Sequence, residues 1–195
     1  MTTADVRRPR GAATKTRILE AADFLFYDQG IRSVSIEDII ERANTTRMTL
    51  YRHYSSKDDL AVAYLRGRAD RERSWMSTLD ERAARERRSA LLVMAADIAR
   101  EVASEDFRGC AFLNAAGEFR DIDHPVRRRV AEHRAWYRGA VREMVGAAGV
   151  VDPDLVVDRI MLLRDGAMVG GFFGDTAARL GALQTAVAAI AGVRR

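Results

Sequence analysis

Ser35-Ile36-Glu37-Asp38-Ile39-Ile40-Glu41-Arg42-Ala43-Asn44-Thr45-Thr46-Arg47-Met48-Thr49-Leu50-Tyr51-Arg52-His53-Tyr54-Ser55-Ser56-Lys57 is the stretch that decides the fold. Ile36, Ile39, Ile40 and Ala43 recur at i, i+3, i+4 and i+7, which is one apolar face of a short helix. Ser35 is a good N-cap, and Asp38 sits three residues on, near the capping-box position. Asn44 tolerates left-handed backbone geometry, so it can end this helix in a sharp turn. Thr45 or Thr46 then caps a second helix, in which Leu50 and Tyr54 share one side. Met48, Thr49 and Arg52 point away from that side, with Arg47 and Tyr51 on its flanks. Two short helices joined by a tight turn, the second bearing basic, hydroxyl and aromatic groups outward, make a helix-turn-helix reader of DNA.

On these residues the segment resembles the DNA-binding half of the TetR (tetracycline-repressor-like) family of transcriptional regulators. The matching run is Ser35-Ile36-Glu37-Asp38-Ile39-Ile40 through Ala43, then Thr46 through Tyr54, then Ser56-Lys57-Asp58-Asp59-Leu60. Family members commonly have Ala-Gly-Val where this chain has Ala43-Asn44-Thr45, and Phe in place of Tyr54. The close match covers about a quarter of the chain, from Thr14 to Leu65; beyond Leu65 the likeness is one of helical architecture.

Outward from the reader, the first eleven residues contain Pro9 and Gly11 and no helical period, which predicts a disordered basic tail. An arginine arm on DNA is the functional alternative for it. A supporting helix is expected over Thr14–Gln29, burying Ile18, Ala22, Leu25 and Phe26, with Phe24 off the stripe. Residues 12–58 then form the DNA-binding domain and 59–195 an effector-binding and dimerisation domain. A long helix starting at Ser56 leads into the latter, and the charged run 80–88 reads as a connection or a helix end. Helices follow over 90–102 and 126–147, the latter capped by Asp123. The last two helices run over about 154–173 and 175–191, with Gly166, Gly170 and Gly174 four apart on the first. The fold class is all-α: an N-terminal three-helix domain followed by a helical bundle.

The chain has 195 residues, 48% of them hydrophobic and 31% charged, an ordinary soluble composition. Its net charge of +4 suits a nucleic-acid partner, but residues 1–60 hold 10 basic and 9 acidic groups, so arrangement matters more than total. No apolar run is long enough to span a membrane and no secretory leader is evident, so a cytoplasmic protein is expected. One cysteine excludes an internal disulfide. His53, His124 and His133 have no metal-ligand spacing. No phosphate loop or nucleophile elbow is present, so neither metal, cofactor nor enzymatic activity is expected.

The resemblance implies site residues. Arg47, Met48, Thr49 and Tyr51 would meet base edges, Arg47 as a fork on guanine and Met48 and Thr49 on thymine methyls. Ser35, Thr46, Thr49, Arg52, His53 and Lys57 would meet phosphates. The second domain would hold a small-molecule effector. Met94, Phe112, Asn114, Phe119, Trp136, Tyr137, Met161, Met168 and Phe172 supply material for an apolar pocket, with plain core as the alternative reading. Asn114 and Glu118, four apart on one helix face, could orient a ligand there, an exposed pair being the alternative. Leu163, Ala167, Gly170, Leu180, Leu183, Val187 and Ile190 would meet a second copy in a four-helix bundle, giving a homodimer, with packing inside the chain as the alternative reading. The expectation is a repressor released from a pseudo-palindromic double-stranded operator by a small apolar ligand. The alternatives are a redox-responsive regulator through Cys110, which Arg108 adjoins, and a non-specific architectural binder.

Overall fold

The computed structural model describes residues 10–150, 152–171 and 176–192; for Arg10 and residues 176–180 it describes the backbone alone. Ten α-helices and no strand occur among the described residues. They are α1 (Arg10–Gln29), α2 (Ile36–Arg42), α3 (Arg47–His53), α4 (Lys57–Met76), α5 (Leu79–Glu86), α6 (Ala90–Val102), α7 (Ala111–Glu118), α8 (Pro125–Ala147), α9 (Pro153–Gly170) and α10 (Thr176–Ala191). Two compact units emerge. One holds the chain up to Gly67 together with Ala115–Arg129; the other holds Arg68–Asn114 and the chain from Val130 onward. The first unit thus takes in a segment that lies far downstream in sequence.

In the first unit α1 buries Ile18, Ala22, Leu25 and Phe26, and α2 and α3 pack against it. Phe24 is half exposed, and the Arg42 guanidinium covers its ring at 3.5 Å. The helix begins at Arg10, not Thr14. Ala12 and Ala13 are strong helix formers that outweigh Gly11, and the Thr16 hydroxyl donates back to the Ala12 carbonyl at 3.0 Å. Of the expected tail, Arg10 and Gly11 are helical, and residues 1–9 lie outside the described ones. Gly30, at φ +88°, ends α1 in the left-handed region. Tyr64 meets Phe26 edge-on at 5.7 Å and closes the core from α4.

The second unit is built on α6, whose Leu91, Leu92, Val93, Met94, Ala95 and Ile98 are buried beneath α5, α9 and α10. The run expected as a connection or a helix end is a short helix of its own, α5. Leu79 and Ala83 are four apart and buried, so most of its charges face water while Arg82 pairs with Asp97 of α6, and Arg87 ends it at φ 53°. Asp123 does not cap α8. Pro125 takes the first helical position, and the Nδ1 of His124 accepts the Val126 N–H at 3.3 Å. Gly171, directly after α9, is the glycine that close packing requires: a Cβ there would stand 2.4 Å from the Phe107 ring. Gly166, by contrast, opens onto free space, and Gly174 lies outside the described residues.

Candidate functional site

The reader begins with a closed capping box. The Ser35 hydroxyl accepts the Asp38 N–H at 3.1 Å, and Asp38 Oδ2 accepts the Ser35 N–H and hydroxyl, each at 2.7 Å. These hydrogen bonds hold the Asp38 carboxyl below the usual aspartate range. Ala43 continues in helical geometry and Asn44 turns the chain at φ 45°. Thr46 caps α3: its hydroxyl accepts the Thr49 N–H at 3.2 Å and donates to the Thr49 hydroxyl at 3.0 Å. Leu50 and Tyr54 are buried and pin α3 from beneath, Tyr54 as the extended residue just past the helix. Ile39 and Ala43 do the same for α2, while Ile36 and Ile40 are only half-buried.

This anchoring leaves a contiguous outward row. Met48 is 82% exposed, an unusual state for a large apolar side chain, and Arg47, Tyr51 and Arg52 are exposed beside it. The Arg47 guanidinium is ion-paired with Glu37 of α2. Ser35, Thr46 and Thr49 have their hydroxyls engaged in the caps just described, so their first role is local. His53 is half-buried and its Nε2 is enclosed, rather than presented to solvent. Lys57 is also half-buried: its Nζ donates to the Arg32 carbonyl at 3.1 Å, and burial lowers its ammonium pKa against the opposing pull of Glu118 and Asp58.

Glu118 departs from its expected place. Its carboxylate does not join Asn114 in facing a ligand. It accepts the Ile31 N–H at 3.0 Å and the Arg32 N–H at 2.6 Å, in the turn before α2. Asn114 donates to the Arg108 carbonyl at 2.7 Å. The same first unit contains Phe119, under the Arg32 guanidinium at 5.1 Å, and His124, whose Nε2 lies 3.3 Å from Asp58. No local signal could have revealed these contacts, because the partners are separated by most of a domain in sequence.

A family model described as bacterial regulatory proteins, tetR family, matches residues 18–64. A TetR-family transcriptional regulator from Streptomyces coelicolor aligns in structure with 93% of this chain and 95% of its own, at a TM-score of 0.86 and 34% identity. The chain belongs to the TetR family. The transcriptional regulator TtgR of Pseudomonas putida is 40% identical over 62 residues, 31% of this chain and 30% of that protein. The transcriptional repressor KstR2 of Rhodococcus jostii is 34% identical over 56 residues, 29% of this chain and 28% of that protein. The chain thus aligns with less than a third of the length of these two curated relatives. The all-α class and the helix-turn-helix regulator expected from sequence are borne out, and neither the redox nor the architectural alternative is favoured. TetR-family regulators are non-enzymatic proteins that bind DNA and act as dimers. Among the described residues of this TetR-family chain, no helix is long and apolar enough to cross a membrane.

The effector residues expected from sequence divide. Met94, Phe112, Tyr137, Met161 and Met168 are buried in the second unit, and Trp136 and Asn114 are half-buried there. Phe119 belongs to the first unit, and Phe172 lies outside the described residues. Between α8 and α9 runs an open groove of about 420 Å³, lined by Arg134, Ala135, Arg138, Asp158, Met161, Leu162 and Asp165. More telling is a buried polar group around Arg164, His133, Glu72 and Cys110, which hydrophobic periodicity does not single out. It also corrects the cysteine's setting: the Arg108 guanidinium bonds the carbonyls of Glu105 and Phe107, while Arg164 Nη2 approaches the Cys110 sulfur at 3.8 Å.

The expected subunit contacts divide in the same way. Leu183 and Val187 are buried within this chain, where α10 faces α6 and α9, and do not offer themselves to a second copy. Leu163, Ala167, Gly170 and Ile190 are half-buried, and the side chain of Leu180 lies outside the described residues. The apolar groups that α9 turns outward are Leu155, Leu162 and Val169, seven apart, with Leu162 73% exposed.

Proposed function

We propose that this TetR-family regulator is a cytoplasmic homodimeric repressor that reads a pseudo-palindromic operator and is released by a small, largely apolar effector. The observation that carries the reading is the exposed row Arg47, Met48, Tyr51 and Arg52 on a helix pinned from beneath by Leu50 and Tyr54. Arg47 reads guanine once it exchanges Glu37 for a base edge. Met48 and the Thr49 methyl meet thymine methyls, and Tyr51 meets a neighbouring base. Arg52 meets phosphate, and Ser35, Thr46, His53 and Lys57 line the same backbone path. Domain division follows this reading: residues 12–58 bind DNA, and 59–195 bind effector and partner.

Dimerisation supplies the second reader helix that a palindrome requires, about one turn of DNA away. The exposed Leu155, Leu162 and Val169 of α9, beside the open Gly166, support a pairing through α9 and α10. The test is a salt-titrated binding assay on DNA spanning the protein's own promoter, against random-sequence competitor. The reading predicts strong preference for a short pseudo-palindrome. Equal and steeply salt-dependent binding to both DNAs would defeat it, since that reports electrostatic attachment alone.

A further inference from the structure

We infer that Arg164 anchors the carboxylate of the effector, so that the ligand class is a monocarboxylic acid with an apolar body. This rests on the ligand-responsive reading above. Arg164 projects from α9 and is only 5% exposed. One flat side of its guanidinium lies on the Tyr137 ring at 4.3 Å. Its Nη1 reaches Asp165 at 3.3 Å, but that carboxylate is already held by both Arg134 nitrogens, at 2.7 and 3.1 Å. Along the other edge, Nε has no hydrogen-bond partner, and Nη2 faces the Cys110 sulfur at 3.8 Å and Glu72 Oε2 at 3.7 Å. The first is a long hydrogen bond to a weak sulfur acceptor, and the second is an ion pair beyond good hydrogen-bond reach. A buried guanidinium whose Nε is unbonded and whose Nη2 is held only by a weak sulfur acceptor and a distant carboxylate has, along that edge, the donor geometry that a carboxylate satisfies with two parallel bonds.

The surroundings supply the rest of the site. His133 is buried beside Glu72 Oε2 at 3.1 Å, yet neither of its nitrogens makes a well-directed hydrogen bond. Its ring stacks on Phe112 at 3.5 Å and lies 5.5 Å from Trp136. A buried polar atom left unbonded is costly, and here several converge from α4, α8 and α9 on one aromatic-walled spot. Glu72 is the resident counter-ion of Arg164, but a poor one: it is a quarter exposed at the rim and bonded squarely to neither Arg164 nor His133. The ligand carboxylate takes its place on Arg164, His133 donates to the second oxygen, and Glu72 turns to solvent. No net charge is added to the interior by that exchange.

The experiment is isothermal titration of the full chain, without DNA, with octanoate and 4-phenylbutyrate, against octanamide and 4-phenylbutanamide as neutral partners. At least one acid should bind about tenfold or more tightly than its amide. Arg164→Gln should remove that preference, and Glu72→Gln, which lacks the competing charge, should bind the acid several times more tightly than the wild type. Amides binding as well as acids, no acid binding at millimolar concentration, or an unchanged affinity in Glu72→Gln would each overturn the assignment. The Glu72 variant lies at the rim and keeps the test decisive if Arg164→Gln fails to fold. Because the titration contains no DNA, its failure beside intact operator binding removes the ligand class alone; loss of wild-type operator binding removes the regulator reading instead.

Discussion

Glu118 accepts the Arg32 N–H at 2.6 Å across 86 positions of chain. The same carboxylate takes the Ile31 N–H, and a Cβ added at Gly30 would stand 3.2 Å from its Oε1. The Arg32 carbonyl in turn accepts from Lys57. The turn leading into α2 is therefore gripped by the end of α7 on its amides and by the start of α4 on its carbonyl. Since α2 fixes α3 through a short turn, this grip sets the orientation of the reader against α1.

Replacing Glu118 by alanine leaves two amides unbonded, one of them part-buried. The variant should lose about 1–2 kcal/mol of stability and bind operator more weakly at every sequence alike. Urea denaturation and a binding isotherm check this. An unchanged denaturation midpoint with unchanged affinity would mean that the turn holds its shape without the carboxylate.

The turn inside the reader gives a second prediction. Asn44 sits at φ 45°, where a Cβ-bearing residue without a local hydrogen-bonding side chain is strained. Asn44→Ala should cost about 1 kcal/mol, whereas Asn44→Gly should be close to neutral. Thermal melts of both variants distinguish backbone strain from side-chain loss: equal destabilisation would assign the effect to the amide group.

A third concerns acid. Asp97 on α6 is largely buried, which by itself raises its pKa, but the Arg82 fork and the Trp75 Nε1–H at 2.7 Å outweigh burial, and Arg100 adds to them. The net shift is downward from 3.8. A carboxyl with a depressed folded-state pKa stabilises the fold at pH above its unfolded value, and that contribution fades as pH falls through the folded value. Wild type should therefore lose stability on acidification from neutral to about pH 3 more steeply than Asp97→Asn. Parallel pH profiles in urea would show that the Arg82–Asp97 pair contributes nothing.

What is legible in the sequence follows the range of each interaction. The Ser35–Asp38 box, the Asn44 turn, the Thr46 cap and the Leu50–Tyr54 anchor are all local, and their residue types announce them. The helix α5 is hidden because two apolar residues, Leu79 and Ala83, must outweigh a run of charges that only tertiary burial sorts outward. Glu118 and Arg164 are hidden because a charged residue's partner, far along the chain, decides whether it is a solvated surface group or an internal one. Periodicity locates an apolar seam in α10 but not what covers it: Leu183 and Val187 face their own chain.

The Arg47–Glu37 pair yields a fourth prediction. Both side chains are more than half exposed, so the pair contributes little to stability. Its effect lies in occupying Arg47. Arg47→Ala should weaken operator binding by about 1–3 kcal/mol and relax one base position. Glu37→Gln should instead tighten binding, since Arg47 no longer has to leave a carboxylate, with base preference retained. Selection of binding sites from random DNA reads both. Unchanged preference in Arg47→Ala would move base readout to Met48 and Tyr51.

The assembly prediction separates two leucines. Leu162 is 73% exposed on α9, flanked at seven-residue intervals by Leu155 and Val169, whereas Leu183 of α10 is buried. A stripe of that kind on a free chain has a solvation cost that pairing removes. Leu162→Glu should leave the thermal stability of the monomer unchanged, shift sedimentation toward monomer and reduce operator affinity, because each monomer then reads one half-site alone. Leu183→Ala should do the reverse, destabilising the fold by about 2–5 kcal/mol through the cavity it leaves while the folded fraction still dimerises. If Leu162→Glu sediments as the wild type does, the copies meet through another face and α9 is turned toward solvent in the assembly.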